Sequence, residues 1–242
     1  MDLQGRAALV TGGARRLGRA IALALGRSGA NVMIHYHSSA EQAEEVAAEL
    51  RGMGVEADIV AGDLADVAAA ERAVDAALAR WGRLDLLVNN AGIWGKTPLG
   101  SVTPERWDEL HHINLRAAFF ASQRAAPALR AARGAIVNIA DVGAIRPWRS
   151  YTPYLVSKGG VVTLTEALAK DLAPEVRVNA VAPGPVLMPD GWTEEQGAQA
   201  KRTTLLERWG TAEDVAQAVV YLATAPYVTG VVLPVDGGQR LI

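Results

Sequence analysis

Tyr154 and Lys158 of "YLVSK" stand four residues apart, the spacing that puts two side chains on one face of a helix. A phenol near its ordinary pKa of about 10 is a poor proton relay at neutral pH. An ammonium beside it favours the phenolate and lowers that pKa, which eases proton exchange with a substrate. Taken alone, the pair is also what a solvated helix face presents. A second stretch, "TGGARRLG" (11–18), reads as a glycine-rich phosphate loop with a long cation, Arg16, where a third small residue is usual. Gly12 can take positive φ and turn the chain out of a strand, and Gly18, after Leu17, permits close helix–strand packing. The N–H groups and dipole of the following helix favour a pyrophosphate.

The run after the second apolar stretch selects the dinucleotide. NAD sites usually carry an acidic residue there to bond the ribose 2′-hydroxyl, but "MIHYHSS" (33–39) has none before Glu41. His35, Tyr36, His37, Ser38 and Ser39 can donate to a 2′-phosphate and Arg15 can supply charge, so NADP(H) is the expected cofactor. Ser38 or Ser39 can equally cap the helix that begins near Ala40. In "GDLAD" (62–66), Asp63, followed by Leu64, can accept from the adenine amino group. Alternatively Asp63 supports a turn and Asp66 caps the next helix. "NNAG" (89–92), with Asn90, Ala91 and Gly92, suggests a bend held by side-chain amides beside a ligand.

These residues need a scaffold, and the patterning supplies one. Strands are expected at 7–12, 31–36, 55–60, 84–89, 134–140, 176–181 and 230–236. Helices are expected near 17–28, 40–53, 66–81, 104–131, 152–172 and 212–224, with short helical stretches around 193–207. The alternation predicts an α/β fold, a doubly wound parallel sheet covered by helices on both faces, in one domain over residues 1–242. Its cofactor half spans about 1–130 and its catalytic and substrate-loop half about 131–242. Near-continuous apolar strands fit a sheet buried on both sides. The irregular segment 183–210 follows the sixth strand, where open α/β sheets bind ligands, and reads as a substrate lid or a surface excursion.

Composition narrows the function class. Net charge is −2 over 242 residues, so nothing points to nucleic acid or an anionic membrane surface as partner. The absence of cysteine excludes thiolate chemistry and disulfides. The opening "MDLQGRAALVTGG" has no signal-peptide pattern, and no long apolar run reads as a membrane span. His111, His112 and the scattered carboxylates lack metal-ligand spacing, so no metal is expected. A cytoplasmic enzyme acting on a small molecule is the expectation.

"TGGARRLG", "GDLAD", "NNAG", "INL" around Asn114, "IVNIAD", "YLVSK" and "VNAVAPG" occur in the order of the classical short-chain dehydrogenases/reductases, which the chain resembles over about residues 5–240. The resemblance implies a Rossmann-type sheet of seven strands, a nicotinamide cofactor and hydride transfer to a carbon–oxygen or carbon–nitrogen double bond. It makes Tyr154 the proton donor, Lys158 the holder of the nicotinamide ribose and Asn114 the holder of a relay water. The Pro183–Gly184 backbone would flank the nicotinamide. Three positions depart from the pattern: Arg16 for glycine, Asp141 for the catalytic serine thirteen residues before Tyr154, and Trp94 just beyond "NNAG". A carboxylate repels a developing oxyanion, whereas a ring-nitrogen substrate offers it donors. In "RRLG", the "HYH" run, Asp141 and Trp94 the chain resembles the pteridine reductases of this family. That resemblance implies a pterin substrate anchored by Arg16, stacked on Trp94 and protonated through Asp141 and Tyr154. Gly92 stands where those reductases can carry serine, Trp94 can be a packing residue, and Asp141 can be a structural, salt-bridged substitution. The alternatives are a general carbonyl reductase of oxoacyl thioesters or sugars, and a catalytically silent dinucleotide sensor. Relatives commonly form tetramers through the helices expected near 104–131 and 152–172, which implies a homotetramer.

Overall fold

A computed structural model describes residues 2–188, 193, 195, 197 and 201–242. Strands β1 (Ala7–Val10), β2 (Asn31–Tyr36), β3 (Ala57–Ala61), β4 (Leu86–Asn89), β5 (Ala135–Ile139), β6 (Arg177–Pro183) and β7 (Val232–Val235) form one parallel sheet. Their order is β3-β2-β1-β4-β5-β6-β7, so the winding reverses between β1 and β4. That reversal opens a crevice at the carboxyl ends of these two strands. Helices α1 (Arg16–Arg27), α2 (Ala40–Gly52), α3 (Val67–Trp81), α4 (Pro104–His111), α5 (Ala117–Ala132), α6 (Thr152–Leu172) and α7 (Ala212–Thr224) cover the two faces.

Period-2 alternation assigns the strand side chains to those faces. Val10, Ile34 and Val88 point into the layer with Ile21, Leu25, Val46 and Val219 from α1, α2 and α7. Leu9, Met33 and Leu87 point into the opposite layer with Val74, Leu129 and Leu168 from α3, α5 and α6. Each such side chain, buried outright, contributes about 1.5–3 kcal/mol. The strands' amino ends are pinned by Asp85, whose buried carboxylate accepts from Ala7 N at 2.9 Å, Arg6 Nη1 at 3.0 Å and the Arg83 guanidinium at 2.6 and 2.7 Å. Donors on both oxygens are what a carboxylate needs when taken out of water.

One expected element is different. The helix expected over 104–131 is interrupted by a π-helical turn, His112–Arg116, between α4 and α5. Asn114 is the cause: its Oδ1 accepts from Ile93 N at 2.8 Å, and its Nδ2 donates to Ile93 O at 2.9 Å and Ser157 Oγ at 3.0 Å. Drawing that side chain toward the loop after β4 widens the helix by a residue. Of the short helical stretches expected near 193–207, residues 195, 197 and 201 are helical and 202–207 form turns and bends, while 194, 196 and 198–200 lie outside the described residues.

Candidate active site

The glycine loop is clamped from several sides. Gly12 takes φ +62°, and a Cβ there would stand 3.1 Å from the Ala91 backbone. A Cβ at Gly18 would collide with the Gly12 carbonyl, so α1 starts where only glycine fits. From β4, Asn90 Nδ2 donates to Thr11 O at 2.8 Å and Gly12 O at 3.2 Å, and Thr11 Oγ1 accepts from Asn90 N and Ala91 N. Leu17 is half-buried against the core beneath. Arg15 and Arg16 are exposed, and Arg16 sits in the left-handed region at φ +50°. The Arg16 guanidinium donates to Met188 O at 3.1 Å, tying the loop to the segment after β6.

The same end of α1 fits an anionic dinucleotide. Arg15 makes no side-chain cap, and no acidic residue occupies the first turn. Two cations at the positive end of a helix dipole are misplaced for the helix itself and suited to a phosphate group. His37 and Ser38 are exposed at the end of β2 beside this loop, while Tyr36 is half-buried. Ser39 is the N-cap residue of α2 but makes no side-chain cap bond. Asp63 Oδ1 supports its turn by accepting from Ala65 N at 2.9 Å, Asp66 caps α3, and Leu64 is buried.

His35 departs from its expected place among the phosphate donors. It is buried beneath the loop, with Gly12 N 3.3 Å from Nδ1 and Gly62 O 3.1 Å from Nε2. Position along β2 explains this: His35 lies inside the strand, paired with Val60 of β3, whereas Tyr36 is its last residue and His37 lies beyond it.

Past the glycine loop, β5 and α6 bring the chemistry together. Tyr154 Oη donates to Asp141 Oδ2 at 2.6 Å, and Asp141 Oδ1 accepts from Gly143 N at 2.7 Å. One turn on, Lys158 Nζ donates to Ile139 O at 2.7 Å. A Cβ at Gly92 would lie 3.2 Å from Asn114 Oδ1 and 3.4 Å from Lys158 Nζ, so this glycine keeps room where the groups meet. Burial holds the Lys158 ammonium down to about 8, with Asp141 acting the other way. Burial also raises the Asp141 carboxyl above the usual range, against hydrogen bonds from Tyr154 and Gly143 and the Lys158 charge.

Tyr154 moves opposite to expectation. Its pKa is raised well above 10, first by burial and then by the adjacent Asp141 carboxylate. The expected lowering by Lys158 considered the cation alone; burial first, and then the anion in direct contact, act the other way.

An aromatic rim stands over these groups. Trp94, 44% exposed, stacks on Tyr151 at 5.5 Å with the planes 5° apart. Trp148 meets Tyr151 edge-on at 6.4 Å and also packs over Gly143. Thr97 N donates to Ser150 O at 2.6 Å, which joins the two loops carrying the rim. At the remaining side, Pro183 ends β6 and Gly184 N donates to Val235 O at 2.9 Å. A crevice of about 300 Å³ begins just beyond, lined by Pro185, Val186, Thr204, Arg208 and Asp236.

Comparison with known proteins fits this geometry. A family model described as enoyl-(acyl carrier protein) reductase matches residues 12–240. The granaticin polyketide synthase putative ketoacyl reductase 2 of Streptomyces violaceoruber is 40% identical, over 97% of this chain and 96% of its own. The chain belongs to the classical short-chain dehydrogenase/reductase family. The 3-oxoacyl-(acyl-carrier-protein) reductase FabG of Staphylococcus aureus strain Mu50 is 36% identical over 98% of both chains. Among solved structures, a short-chain dehydrogenase/reductase from Serratia marcescens BCRC 10948 superposes with a TM-score of 0.94 at 38% identity, covering 99% of this chain and 100% of that one. A blue fluorescent protein from a metagenomic library, solved in complex with NADPH, gives 0.92 at 35% identity, covering 99% of both chains.

As a short-chain dehydrogenase/reductase, the chain has Tyr154, Lys158, Asn114 and Asp141 in one place, with Gly12, Gly18, Asn90, Ala91 and Gly92 at the switch point beside them. None of the relatives described above is named as a pteridine reductase. Sequence reasoning missed Ser157 and Thr11, which hold Asn114 and the Asn90 turn, and the rim residues Tyr151 and Trp148. Tyr151, three residues before Tyr154 on the same helical turn, was the readable signal. Among the described residues no group of three or more potential metal ligands occurs, and no helix is long and apolar enough to cross a membrane.

Proposed function

We propose that the protein is an NADPH-dependent oxidoreductase that reduces a carbonyl group of the 3-oxoacyl thioester kind. The Tyr154–Asp141 hydrogen bond beside Lys158 carries the reading, because it is a buried proton donor backed by a second acid. NADPH supplies the hydride. Arg15, Arg16, His37, Ser38 and the start of α1 would hold its phosphates, and Asn90, Gly92, Lys158 and the Pro183–Gly184 backbone its nicotinamide half. The relatives named for 3-oxoacyl reduction, and the neighbour solved with NADPH, support this assignment. The exposed Trp107, Phe119 and Val156 on α4, α5 and α6 fit a homotetramer built through those helices.

With Asp141 ionised, the Tyr154 proton is committed to its carboxylate. When Asp141 takes up a proton, which burial eases, the carboxyl becomes a donor and Tyr154 is released to donate to the substrate heteroatom. The phenolate then takes the Asp141 proton, and solvent restores the acid. One proton is consumed for each bond reduced.

A second reading, reduction of a pterin-like C=N bond, is favoured by one specific observation. Asp141 supplies a carboxyl to which ring N–H groups could donate, and the Trp94 indole is exposed. Oxidation of NADPH with acetoacetyl thioester, dihydrobiopterin and dihydrofolate, by wild type and Asp141→Ser, tests both. A serine hydroxyl keeps a neutral donor beside Tyr154, so thioester turnover is expected to survive in the variant. Pterin turnover alone, lost in Asp141→Ser, would replace the first reading by the second. Tight NADPH binding with no turnover of any of them would leave a dinucleotide sensor.

A further inference from the structure

The mechanism above does not use His35, yet this side chain joins two segments that border the expected cofactor site. Its Nε2 lies 3.1 Å from Gly62 O, so that nitrogen carries the proton and donates. Its Nδ1 is then the lone-pair nitrogen and accepts from Gly12 N at 3.3 Å. The backbone runs alongside: Gly13 N donates to His35 O at 2.9 Å and Gly62 N to Tyr36 O at 2.9 Å. Asn90 grips the opposite side of the loop through the carbonyls of Thr11 and Gly12. The Gly12 peptide is therefore held at its N–H by β2 and at its carbonyl by the loop after β4.

We propose that His35 is a positioning residue that fixes the glycine loop for the dinucleotide by accepting the Gly12 N–H, without touching the dinucleotide itself. The Gly12 N–H is spent on His35, so it is not among the donors left for a phosphate. In exchange, the φ +62° turn is held in one geometry. Protonation of His35 would place an N–H against the Gly12 N–H and break the clasp. Burial pushes this imidazole down to about 4, with His37 acting the same way and Asp63 and the Gly62 carbonyl opposing. The clasp therefore holds at neutral pH.

The inference rests on the reading that the loop binds NADP(H), and the test separates the two. Calorimetric titration of the full chain with NADP⁺ is compared for wild type, His35→Asn and His35→Gln. Asparagine carries its oxygen at the Nδ1 position, whereas glutamine reaches only toward the Nε2 position. His35→Asn is expected to bind within about threefold of wild type, and His35→Gln about tenfold more weakly, as for one lost buried hydrogen bond. As the pH falls toward 4, wild type is expected to lose affinity relative to His35→Asn. Equal binding by both variants, or an unchanged difference with pH, would overturn the proposal. Amide exchange at Gly12 in the free protein gives a reading without ligand: slow in wild type and His35→Asn, fast in His35→Gln. If wild type gives no heat with NADP⁺, the cofactor reading fails, and the exchange rates alone decide for or against the clasp.

Discussion

Three ionisable side chains, Asp141, Tyr154 and Lys158, meet at the end of β5, Tyr154 and Lys158 buried and Asp141 half-buried, and each changes what its neighbour does. The Asp141 charge raises Lys158 while burial lowers it, leaving the ammonium titrating near 8. If the ammonium supports turnover, kcat/KM is expected to fall as pH rises through about 8. Asp141→Asn removes the anion that was raising Lys158, so the alkaline limb is expected to move to lower pH. A pH profile of kcat/KM for both proteins reads this directly, and a limb that stays in place would detach it from Lys158. The sequence made part of this legible. The spacing of Tyr154 and Lys158 shows a shared helix face, but Asp141 is remote in sequence and its importance came only from family position. The sign of the Tyr154 shift was beyond reach for a similar reason: it depends first on how deeply the fold buries the phenol and then on an oxygen 2.6 Å away. His35 departs from its expected place because three polar residues in a row look alike in a sequence, while the end of β2 at Tyr36 and the 3.1 Å approach of Gly62 O decide which one is buried.

At the level of elements, α1 is defined at its start by a compromise at Arg16. A non-glycine residue at φ +50° is held in a region that L-residues rarely adopt, at about 1–2 kcal/mol. In return its guanidinium reaches Met188 O and bridges the first βα turn to the segment following β6. Arg16→Gly is expected to relieve the strain and lose the bridge. Thermal unfolding should then shift upward by about 2–4 °C, as a 1 kcal/mol gain gives in a chain of this size. The KM for NADPH should rise at the same time. A lowered melting temperature with unchanged KM would show that the arginine's role is packing alone. The β-strands and most helices could be read from alternating composition, and α2, α6 and α7 fall where expected within a residue. The π-helical turn could not be read, because residues 104–131 carry a continuous helical pattern and the deforming contact, Asn114 with Ile93, spans 21 residues.

Over the whole molecule, stability as a function of pH integrates these local preferences. His35 titrates near 6.5 unfolded and about 4 folded, so between those values the unfolded chain binds more protons. Its contribution to stability is present above pH 6.5 and is lost as pH falls through 4. That difference in pKa corresponds to about 3 kcal/mol. Asp141 works in the reverse sense: its raised folded pKa means the folded chain binds the extra proton as pH falls, which offsets part of the loss. A pH scan of wild type alone therefore mixes the two. His35→Asn leaves Asp141 and Asp85 in place, so subtracting its urea-unfolding free energies from those of wild type at each pH isolates the imidazole. The wild-type advantage over the variant is expected to shrink steadily from pH 6.5 to 4 and to stay constant above 7. A difference that is flat across the acid range would mean that His35 is protonated in the folded protein, which the Gly12 N–H at 3.3 Å from Nδ1 opposes.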